Sequence, residues 1–283
     1  MPTSIDFVKM HGLGNDFIVV DCIRNNYSID ELVKSATFLC DRNFGIGADG
    51  LILVIASTEA DFQMRIINAD GSEAEMCGNG IRCFAKFVYD KGLTQKTDFT
   101  VSTLAGIIAP AIQVEDGKVK VAKVNMGEPH LERELIPMVG PKGEVINEML
   151  QVESTTVRVT AVSMGNPHAV LFVDDVNTYA VDWFGPRIER HSIFPRKTNV
   201  EFVQRVSSTY LKMRVWERGA GLTLACGTGA CATVVAAVLN GLSERTAIVE
   251  LPGGKLEITW DDEDNHVYMT GPADEVFCGV VTI

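Results

Sequence analysis

The sequence lacks two features that mark whole classes of protein: an excess of basic residues and a long apolar run. Its 283 residues include 25 Lys and Arg but 37 Asp and Glu, which gives a formal net charge of -12. This balance argues against nucleic acid or an anionic membrane as a partner, because attraction to phosphate needs a basic surface. No apolar run approaches the roughly 20 residues that cross a bilayer. Residues 1–6 have neither a basic nor a hydrophobic region, so we expect no signal peptide.

Cysteine is present, but not in the pattern of a disulfide-bonded or zinc-binding protein. The seven cysteines are an odd number at irregular spacing, which is not typical of a disulfide framework. No C-x-x-C pair occurs and the chain has only five histidines, so we predict no metal site. These features favour a reducing cytoplasm as the compartment.

One short cysteine-glycine pattern occurs twice. Residues 76–83 read MCGNGIRC, and residues 225–231 read ACGTGAC. At the offset of 149 that places Cys77 over Cys226, residues 64–66 (MRI) lie over 213–215 (MRV). The same register held over so many positions indicates an internal duplication. A chain of this length, with a hydrophobic fraction of 46%, can form two ordinary globular domains.

The order of apolar segments predicts the same architecture in both halves. Strand-like segments surround one helix that begins at Cys77 and another that begins at Cys226. The second helix is apolar nearly all round for about nine residues, too short to span a bilayer, which predicts a buried core helix. We therefore predict an α+β fold of two pseudo-symmetric domains from an internal duplication. Each domain is a mixed or antiparallel β-sheet wrapped around a central buried helix.

The domain boundaries follow from the repeat. The N-terminal half, with Cys77, is residues 1–127 and is joined by the C-terminal tail 273–283, whereas the half with Cys226 is residues 128–272. The polar stretch 127–153 is the best candidate for the join. We expect the active site in the cleft between the two halves.

A cysteine at a helix N-terminus has a defined chemistry. The first turn leaves N–H groups without intrahelical partners, and these groups bind anions and favour a thiolate. The dipole contributes about 0.3–1 kcal/mol, up to about 2 when partly buried, which lowers a thiol pKa near 8.5 by roughly one unit. We therefore expect Cys77 and Cys226 to be usable bases near neutral pH. Two such thiols on opposite sides of a carbon next to a carboxylate could invert it.

The cysteines also allow other interpretations. A single buried cysteine is most often an inert small hydrophobe, which is our expectation for the remaining five: Cys22, Cys40, Cys83, Cys231 and Cys278. A Cys–His hydrolase using His168 leaves the duplicated cysteine unexplained. Facing sulfurs could also oxidise to a regulatory Cys77–Cys226 disulfide, which is compatible with the two-thiol interpretation.

The sequence resembles the diaminopimelate epimerases, a pyridoxal-independent family of two-cysteine enzymes. The segments that carry this resemblance are residues 9–17 (KMHGLGNDF), 68–80 (NADGSEAEMCGNG), 165–168 (GNPH), 217–221 (ERGAG) and 226–229 (CGTG). They span nearly the whole chain, and the C-G-x-G pieces alone are shared with proline-racemase-like relatives. The resemblance implies interconversion of LL- and meso-diaminopimelate in lysine and peptidoglycan precursor synthesis. It implies no cofactor, and a homodimer is plausible for the family.

The resemblance also assigns roles to residues. Cys77 and Cys226 match the acid and base, and His168 and Glu217 match residues that tune the thiols. The substrate-binding positions are Asn15, Asn68, Gly78, Asn79, Asn166, Asn199, Glu217, Arg218, Gly227 and Thr228. Where some members carry a substrate-contacting glutamine, this chain has Gly50, which could contact substrate only through its backbone.

Two competing functions remain open. A racemase of proline or hydroxyproline could use the same two thiols, but Arg218 and the asparagines fit a substrate with a second charged end. A non-catalytic amino-acid-binding protein on the same fold would have no need for two intact cysteines.

Overall fold

The computed structural model describes residues 3–283. Met1 and Pro2, the first two residues of the segment that lacks a signal-peptide pattern, lie outside the described range. The chain divides into two compact units. One comprises residues up to Val124 together with Thr270–Ile283, and the other comprises Asn125–Met269. Among the helices of residues 3–283, none has the length and apolarity needed to cross a membrane.

The first unit holds a mixed sheet and two helices. Its elements up to the boundary are β1 (Ser4–Gly12), β2 (Asn15–Asp21), α1 (Ile29–Cys40), β3 (Gly50–Ile55), β4 (Phe62–Asn68), β5 (Glu73–Ala74), α2 (Gly78–Asp90), β6 (Val101–Thr103), β7 (Gly106–Ile108), β8 (Ala111–Glu115) and β9 (Lys118–Asn125).

The second unit repeats this order of elements. Its elements are β10 (Glu148–Val152), β11 (Thr155–Ser163), β12 (Pro167–Phe172), α3 (Val181–Glu189), β13 (Asn199–Ser207), β14 (Tyr210–Glu217), β15 (Gly221–Thr223), α4 (Gly227–Leu239), β16 (Thr246–Leu251), β17 (Gly254–Trp260) and β18 (Val267–Gly271). A last strand, β19 (Asp274–Thr282), pairs antiparallel with β1 in the first unit.

The two sheets share the order of their first seven strands. The first has the strand order β19-β1-β2-β3-β4-β6-β7 with β5 on β4, and the second has β10-β11-β12-β13-β14-β16-β17, followed by β18-β9-β8, with β15 on β14. The pairing directions agree strand by strand, since β2/β3 and β12/β13 are parallel, as are β4/β6 and β14/β16. The predicted α+β duplication, with a helix against a mixed sheet in each half, is confirmed.

The helices α2 and α4 correspond residue for residue. Each has 13 residues, each begins directly after a cysteine, and their first residues are separated by the 149 positions of the repeat. Ten residues of α4 are buried, from Gly227 to Ala237, because the helix packs against six strands of its sheet. The predicted helix starts and the predicted burial of α4 are therefore confirmed.

The crossover helices α1 and α3 cover the other faces of the sheets. Leu32, Ala36 and Leu39 of α1 pack with Leu51 and Leu53 of β3 in one apolar cluster. Side chains alternate between the two faces of a strand, so the residue between these two leucines points to the α2 side. α3 was missed in the sequence because its nine residues contain Gly185 and Pro186, which disguise a helical pattern.

The stretch 127–153 is more ordered than its polar composition suggests. It contains β10, and its buried apolar residues Ile136, Met138 and Val145 belong to the core cluster of the second unit. The boundary between the two units lies between Val124 and Asn125.

Candidate active site

Both repeated cysteines cap their helices in the same way. Cys77 (φ -140°, ψ 121°) and Cys226 (φ -133°, ψ 109°) have the extended backbone of an N-cap residue. The Gly80 N–H donates to Cys77 Sγ at 3.5 Å, and the Gly229 N–H donates to Cys226 Sγ at 3.4 Å. Each sulfur therefore lies at the positive end of a helix, where first-turn N–H groups can also receive an anion.

Amide side chains surround Cys77. Its Sγ lies 3.6 Å from Asn15 Oδ1, which also accepts from Asn79 Nδ2 at 3.1 Å. The Arg82 guanidinium is fully buried and donates to Asn79 Oδ1 at 2.9 Å and to the Gly78 carbonyl at 3.0 Å. A buried cation thus braces the first turn of α2 beside a sulfur that contacts an amide oxygen.

A salt-bridge network fixes the orientation of Asn15. Its Nδ2 donates to Asp49 Oδ2 at 2.7 Å, so Oδ1 is the atom left for Cys77. Arg42 bridges Asp49 and Asp16, and Lys9 lies 2.6 Å from Asp16. Burial pushes the pKa of Asp16 upward, but hydrogen bonds from Arg42 and Lys9 outweigh it and lower the pKa to about 2. Asp16 is therefore ionised at neutral pH.

A different set of side chains surrounds Cys226. Its Sγ lies 3.6 Å from Thr228 Oγ1, which accepts from Asn166 Nδ2 at 3.2 Å. Asn166 Oδ1 lies 2.9 Å from His168 Nε2, and His168 Nδ1 lies 2.7 Å from Glu201 Oε1. Both His168 and Glu201 are 0% exposed. A continuous hydrogen-bonded chain therefore runs from a buried carboxylate to the Cys226 sulfur.

The expectation that the helix terminus makes Cys226 a base near neutral pH is wrong in this structure. Burial raises the pKa of the Cys226 thiol well above its usual range, and the nearby Glu217 and Glu201 carboxylates add to the rise. Hydrogen bonds from Thr228 and the Gly229 N–H lower it, but by less. Cys226 is therefore a protonated thiol here. Burial also raises the pKa of Glu217.

The predicted residues Asn199 and Arg218 lie together at one end of the second sheet. Asn199 is buried, donates to the Pro167 carbonyl at 3.0 Å and accepts from the Arg218 N–H at 2.9 Å. The Arg218 guanidinium is on the exposed surface and donates to the Arg196 carbonyl at 3.3 Å. Asn199 therefore fixes the backbone of Arg218 and leaves much of the guanidinium exposed.

Two predicted positions of the first unit lie at paired strand ends. Asn68 Nδ2 donates to Ser72 Oγ at 2.9 Å, so its amide is engaged in the turn after β4. Gly50 pairs with Asn68, and a Cβ added at Gly50 would lie 3.0 Å from the Ile67 carbonyl oxygen. The backbone leaves little room for a side chain at Gly50, so a contact from this position would come from its main chain.

The other cysteines and the remaining ligating side chains carry no comparable arrangement. Burial raises the pKa of Cys22 to about 12, that of Cys40 to about 11 and that of Cys83 to about 12. These three thiols stay protonated, as expected of inert core residues. Within residues 3–283 no group of three His, Cys, Asp or Glu side chains is placed to hold a metal ion.

Sequence reasoning missed several residues of these networks, among them Asp49, Arg82 and Glu201. A signal was available for two of them. Glu201 interrupts the apolar run of β13, and Arg82 interrupts the apolar residues of α2, whereas buried charges are rare unless paired. Asp49 follows a glycine-rich loop, and no sequence pattern distinguishes it from a solvated loop residue.

The fold occurs in other solved structures. A PhzF-family phenazine biosynthesis protein from Bacillus anthracis matches with a TM-score of 0.72 and 18% identity, over 99% of this chain and 100% of that one. A hydroxyproline epimerase from Agrobacterium vitis matches with a TM-score of 0.68 and 14% identity, over 99% and 93% of the two chains. At these identities the likeness concerns the fold alone.

Sequence comparison is more specific. The family profile described as diaminopimelate epimerase matches residues 7–132 and 160–276. A diaminopimelate epimerase from Pelotomaculum thermopropionicum is 55% identical over 273 residues, which cover 96% of this chain and 97% of that protein. A match of this extent includes both cysteine-capped helices, and on this basis the chain belongs to the diaminopimelate epimerase family.

Proposed function

We propose that this protein is an isomerase that epimerises LL-2,6-diaminopimelate to meso-diaminopimelate without a cofactor, by a two-base mechanism with Cys77 and Cys226. The observation that carries the mechanism is the pair of cysteine N-caps at equivalent positions of a duplicated fold. Two equivalent thiols suit a reaction in which one group removes a proton and another supplies one. Membership of the family identifies diaminopimelate as the substrate.

The first requirement of the reaction is to hold the carboxylate next to the reacting carbon. The first-turn N–H groups of α2, at Gly78 and Asn79, and those of α4, at Gly227 and Thr228, are suited to this because helix N-termini bind anions. These donors also stabilise the charge that moves onto the carboxylate when the α-proton leaves. Their contribution is needed, since general acid–base catalysis supplies only about 10²–10⁴ in rate.

Proton transfer then inverts the carbon. In one direction the Cys77 thiolate takes the α-proton, so the C–H bond breaks and an S–H bond forms. The Cys226 thiol gives its proton to the opposite face, so its S–H bond breaks and the new C–H bond forms. The raised pKa of Cys226 suits this acid role, and the reverse reaction exchanges the two roles. The buried Arg82 guanidinium in the second turn of α2 donates to the Gly78 carbonyl and holds the helix terminus beside Cys77 in place.

Recognition of the distal amino-acid end falls to the polar side chains. The exposed Arg218 guanidinium can bind a second carboxylate with two parallel hydrogen bonds. Four asparagines and one glutamate supply acceptors for ammonium groups: Asn15, Asn68, Asn166, Asn199 and Glu217. A proline-sized substrate has no distal charged end, so this set favours diaminopimelate.

The experiment that tests the proposed function is proton NMR of the reduced protein with LL-diaminopimelate in D₂O. We expect the meso isomer with deuterium at one α-carbon and no need for an added cofactor. Deuteration of proline instead would assign the chain to a racemase activity. Absence of exchange with both substrates, in protein shown to be folded and reduced, would favour a binding role.

We also propose a homodimer in the cytoplasm. Strand β19 is the edge strand of its sheet and exposes Val276, Phe277 and Val280. A long edge strand with apolar side chains is a template for pairing with a second chain. Sedimentation velocity of the intact protein tests the dimer, and a concentration-independent monomer would contradict it. The location can be checked by fractionating cells that express the tagged chain.

A further inference from the structure

Glu201 is a buried carboxylate for which the proposed reaction has so far provided no role. It lies in β13 among apolar residues and is 0% exposed. Oε1 contacts His168, whereas Oε2 is buried and has no hydrogen-bond partner among residues 3–283. An unpartnered carboxylate oxygen in the interior destabilises the fold. At the equivalent place of the first unit, 149 positions earlier, Ile52 fills the space.

The donors and acceptors of the hydrogen-bonded chain from Glu201 to Cys226 determine which of its atoms carry protons. Asn166 Oδ1 can only accept, so His168 Nε2, 2.9 Å away, carries a proton and donates. Asn166 Nδ2 in turn donates to Thr228 Oγ1. The Thr228 hydroxyl proton is then available to the Cys226 sulfur at 3.6 Å. Every donor in the chain therefore points towards Cys226.

The direction of this chain depends on the contact between His168 and Glu201. A carboxylate opposite Nδ1 shares one proton with that nitrogen, which leaves the proton on Nε2 in place. If the ring lost the Nε2 proton, the Asn166 amide would turn and donate to the bare nitrogen. Thr228 would then donate to Asn166 and accept from Cys226. The sulfur would face an acceptor, which favours the thiol over the thiolate.

We propose that Glu201 is a positioning residue for Cys226: by sharing a proton with His168, it orients Asn166 and Thr228 so that the Thr228 hydroxyl donates to the sulfur. This inference rests on the proposed function, because it concerns the proton transfer assigned to Cys226. The donated hydrogen bond stabilises the thiolate that Cys226 becomes after it gives up its proton. Glu201 itself touches neither the substrate nor the reacting sulfur in this scheme.

The glycine at position 229 permits this arrangement. A Cβ built on Gly229 would lie 2.7 Å from Glu201 Oε1 and 3.2 Å from Cys226 Sγ. The carboxylate therefore packs directly against the first turn of α4. At the equivalent glycine of α2, Gly80, the neighbours of such a Cβ are Ile66 Cδ1 at 3.1 Å and Ile52 Cδ1 at 3.5 Å.

The first arm of the test needs no substrate and no variant. Nitrogen-15 NMR of the histidine-labelled wild-type protein at neutral pH reports which ring nitrogens carry protons. We expect Nε2 of His168 to be protonated. A bare Nε2 would reverse the donors in the chain and overturn the inference, whatever the activity of the protein.

The second arm is a double-mutant cycle on epimerisation of LL-diaminopimelate. Glu201→Ile places at 201 the residue that stands at the equivalent position 52 and leaves His168 Nδ1 without a partner, and Thr228→Val removes the hydroxyl. We expect each to lower kcat about tenfold or more with KM changed by less than about threefold, and the double variant to be no slower than Thr228→Val. Thr228→Ser, which keeps a hydroxyl, should retain most of the rate.

The controls separate the possible failures. Glu250→Gln removes a carboxylate that contacts Tyr210 in the same unit, away from the chain to Cys226, and should leave kcat unchanged. An inactive wild type would contradict the proposed function. An active wild type in which Glu201→Ile keeps its kcat, or in which the two losses multiply, would overturn the inference. If Glu201→Ile does not fold, an unchanged kcat in Thr228→Val overturns it as well.

Discussion

The N-termini of α2 and α4 share one backbone geometry but differ in their side-chain chemistry. The two cysteine caps differ by only 7° in φ and 12° in ψ. In both halves a glycine with a φ of 89° precedes the asparagine of the site, as Gly14 precedes Asn15 and Gly165 precedes Asn166. The side chains differ, however: Phe17 of the first half and His168 of the second occupy equivalent positions in the paired strands, and only Phe17 is apolar.

The charges are distributed in opposite ways. The first half has a buried arginine, Arg82, in α2, at the position that Cys231 occupies in α4. The second half has two carboxylates near its cysteine, Glu201 and Glu217. A duplicated backbone has thus kept the anion-binding helix termini, while the substitutions around them have made the two sulfurs chemically unequal. That inequality suits a reaction that needs an acid and a base at once.

Loss of either sulfur should have the largest effect. Cys77→Ala and Cys226→Ala should each lower epimerisation by more than about 100-fold, because each removes one of two required proton-transfer groups. The matched control is Cys83→Ala, since alanine stands at the equivalent position 232 of α4. This control should remain active in the D₂O exchange assay, and an active Cys77→Ala or Cys226→Ala would contradict the two-base mechanism.

Gly80 and Gly229, whose N–H groups donate to the capping cysteines, should respond differently to substitution by alanine. Gly229→Ala brings its Cβ to 2.7 Å from Glu201 Oε1, and we expect overpacking to lower the free energy of unfolding by about 1–3 kcal/mol. Gly80→Ala meets a flexible Ile66 side chain at 3.1 Å, and the better helix propensity of alanine offsets up to about 1 kcal/mol of the strain. Urea unfolding of both variants measures the difference, and equal losses would show that the two helix termini are packed alike.

The ion pairs of Asp16 should make the free energy of unfolding depend on pH in the acid range. The pKa of Asp16 is about 2 in the folded chain, below its unfolded value, so the stabilisation is present above about pH 4 and is lost as pH falls towards 2. Asp16→Asn should therefore lose about 1 kcal/mol at pH 7, after allowance for solvent screening, and much less at pH 2. Urea unfolding at both values tests this, and a pH-independent loss would contradict it. The equivalent position of the second half is Pro167, so the network has no counterpart there.

Glu217 should show the opposite pH dependence. Burial raises its folded pKa above the unfolded value, so the contribution of this group to stability is greatest below about pH 4.5 and is lost as pH rises through the folded pKa. Glu217→Gln should remove that loss and unfold at a higher urea concentration than the wild type at pH 8. The advantage should shrink at pH 4.5, and a constant difference would show that the gain has another cause.

The crossover helices should give the smallest effects. Ser28 caps α1 by accepting from the Glu31 N–H at 3.4 Å, whereas Ala180 at the start of α3 offers no side-chain cap. Ser28→Ala should lower the free energy of unfolding by about 1 kcal/mol, and Ala180→Ser should raise it by about 0.5 kcal/mol. Thermal unfolding can resolve both changes, and shifts of the same sign would contradict the capping argument.

The sequence was sufficient for the fold class, for both cysteine-capped helices and for the duplication, because these depend on local pattern and on an offset that can be counted. It was not sufficient for the ionisation of Cys226. A helix terminus can be inferred locally, but the burial and the two carboxylates that raise the thiol pKa depend on how α4 packs with other elements, since Glu201 lies in β13 and Glu217 ends β14. Glu201 was missed for the same reason, since its partner His168 is 33 residues away.

The pairing of β19 with β1 has a consequence for how the protein is made. The second unit is one continuous stretch, Asn125–Met269, whereas the first includes residues from both ends of the range. Domains generally fold as units while the chain emerges from the ribosome. During synthesis, therefore, the unit with Cys226 can be completed first, although its residues are made second. The edge of β1 stays unpaired until residues 274–282 have been translated. Until then β1 exposes a strand edge that a chaperone could protect.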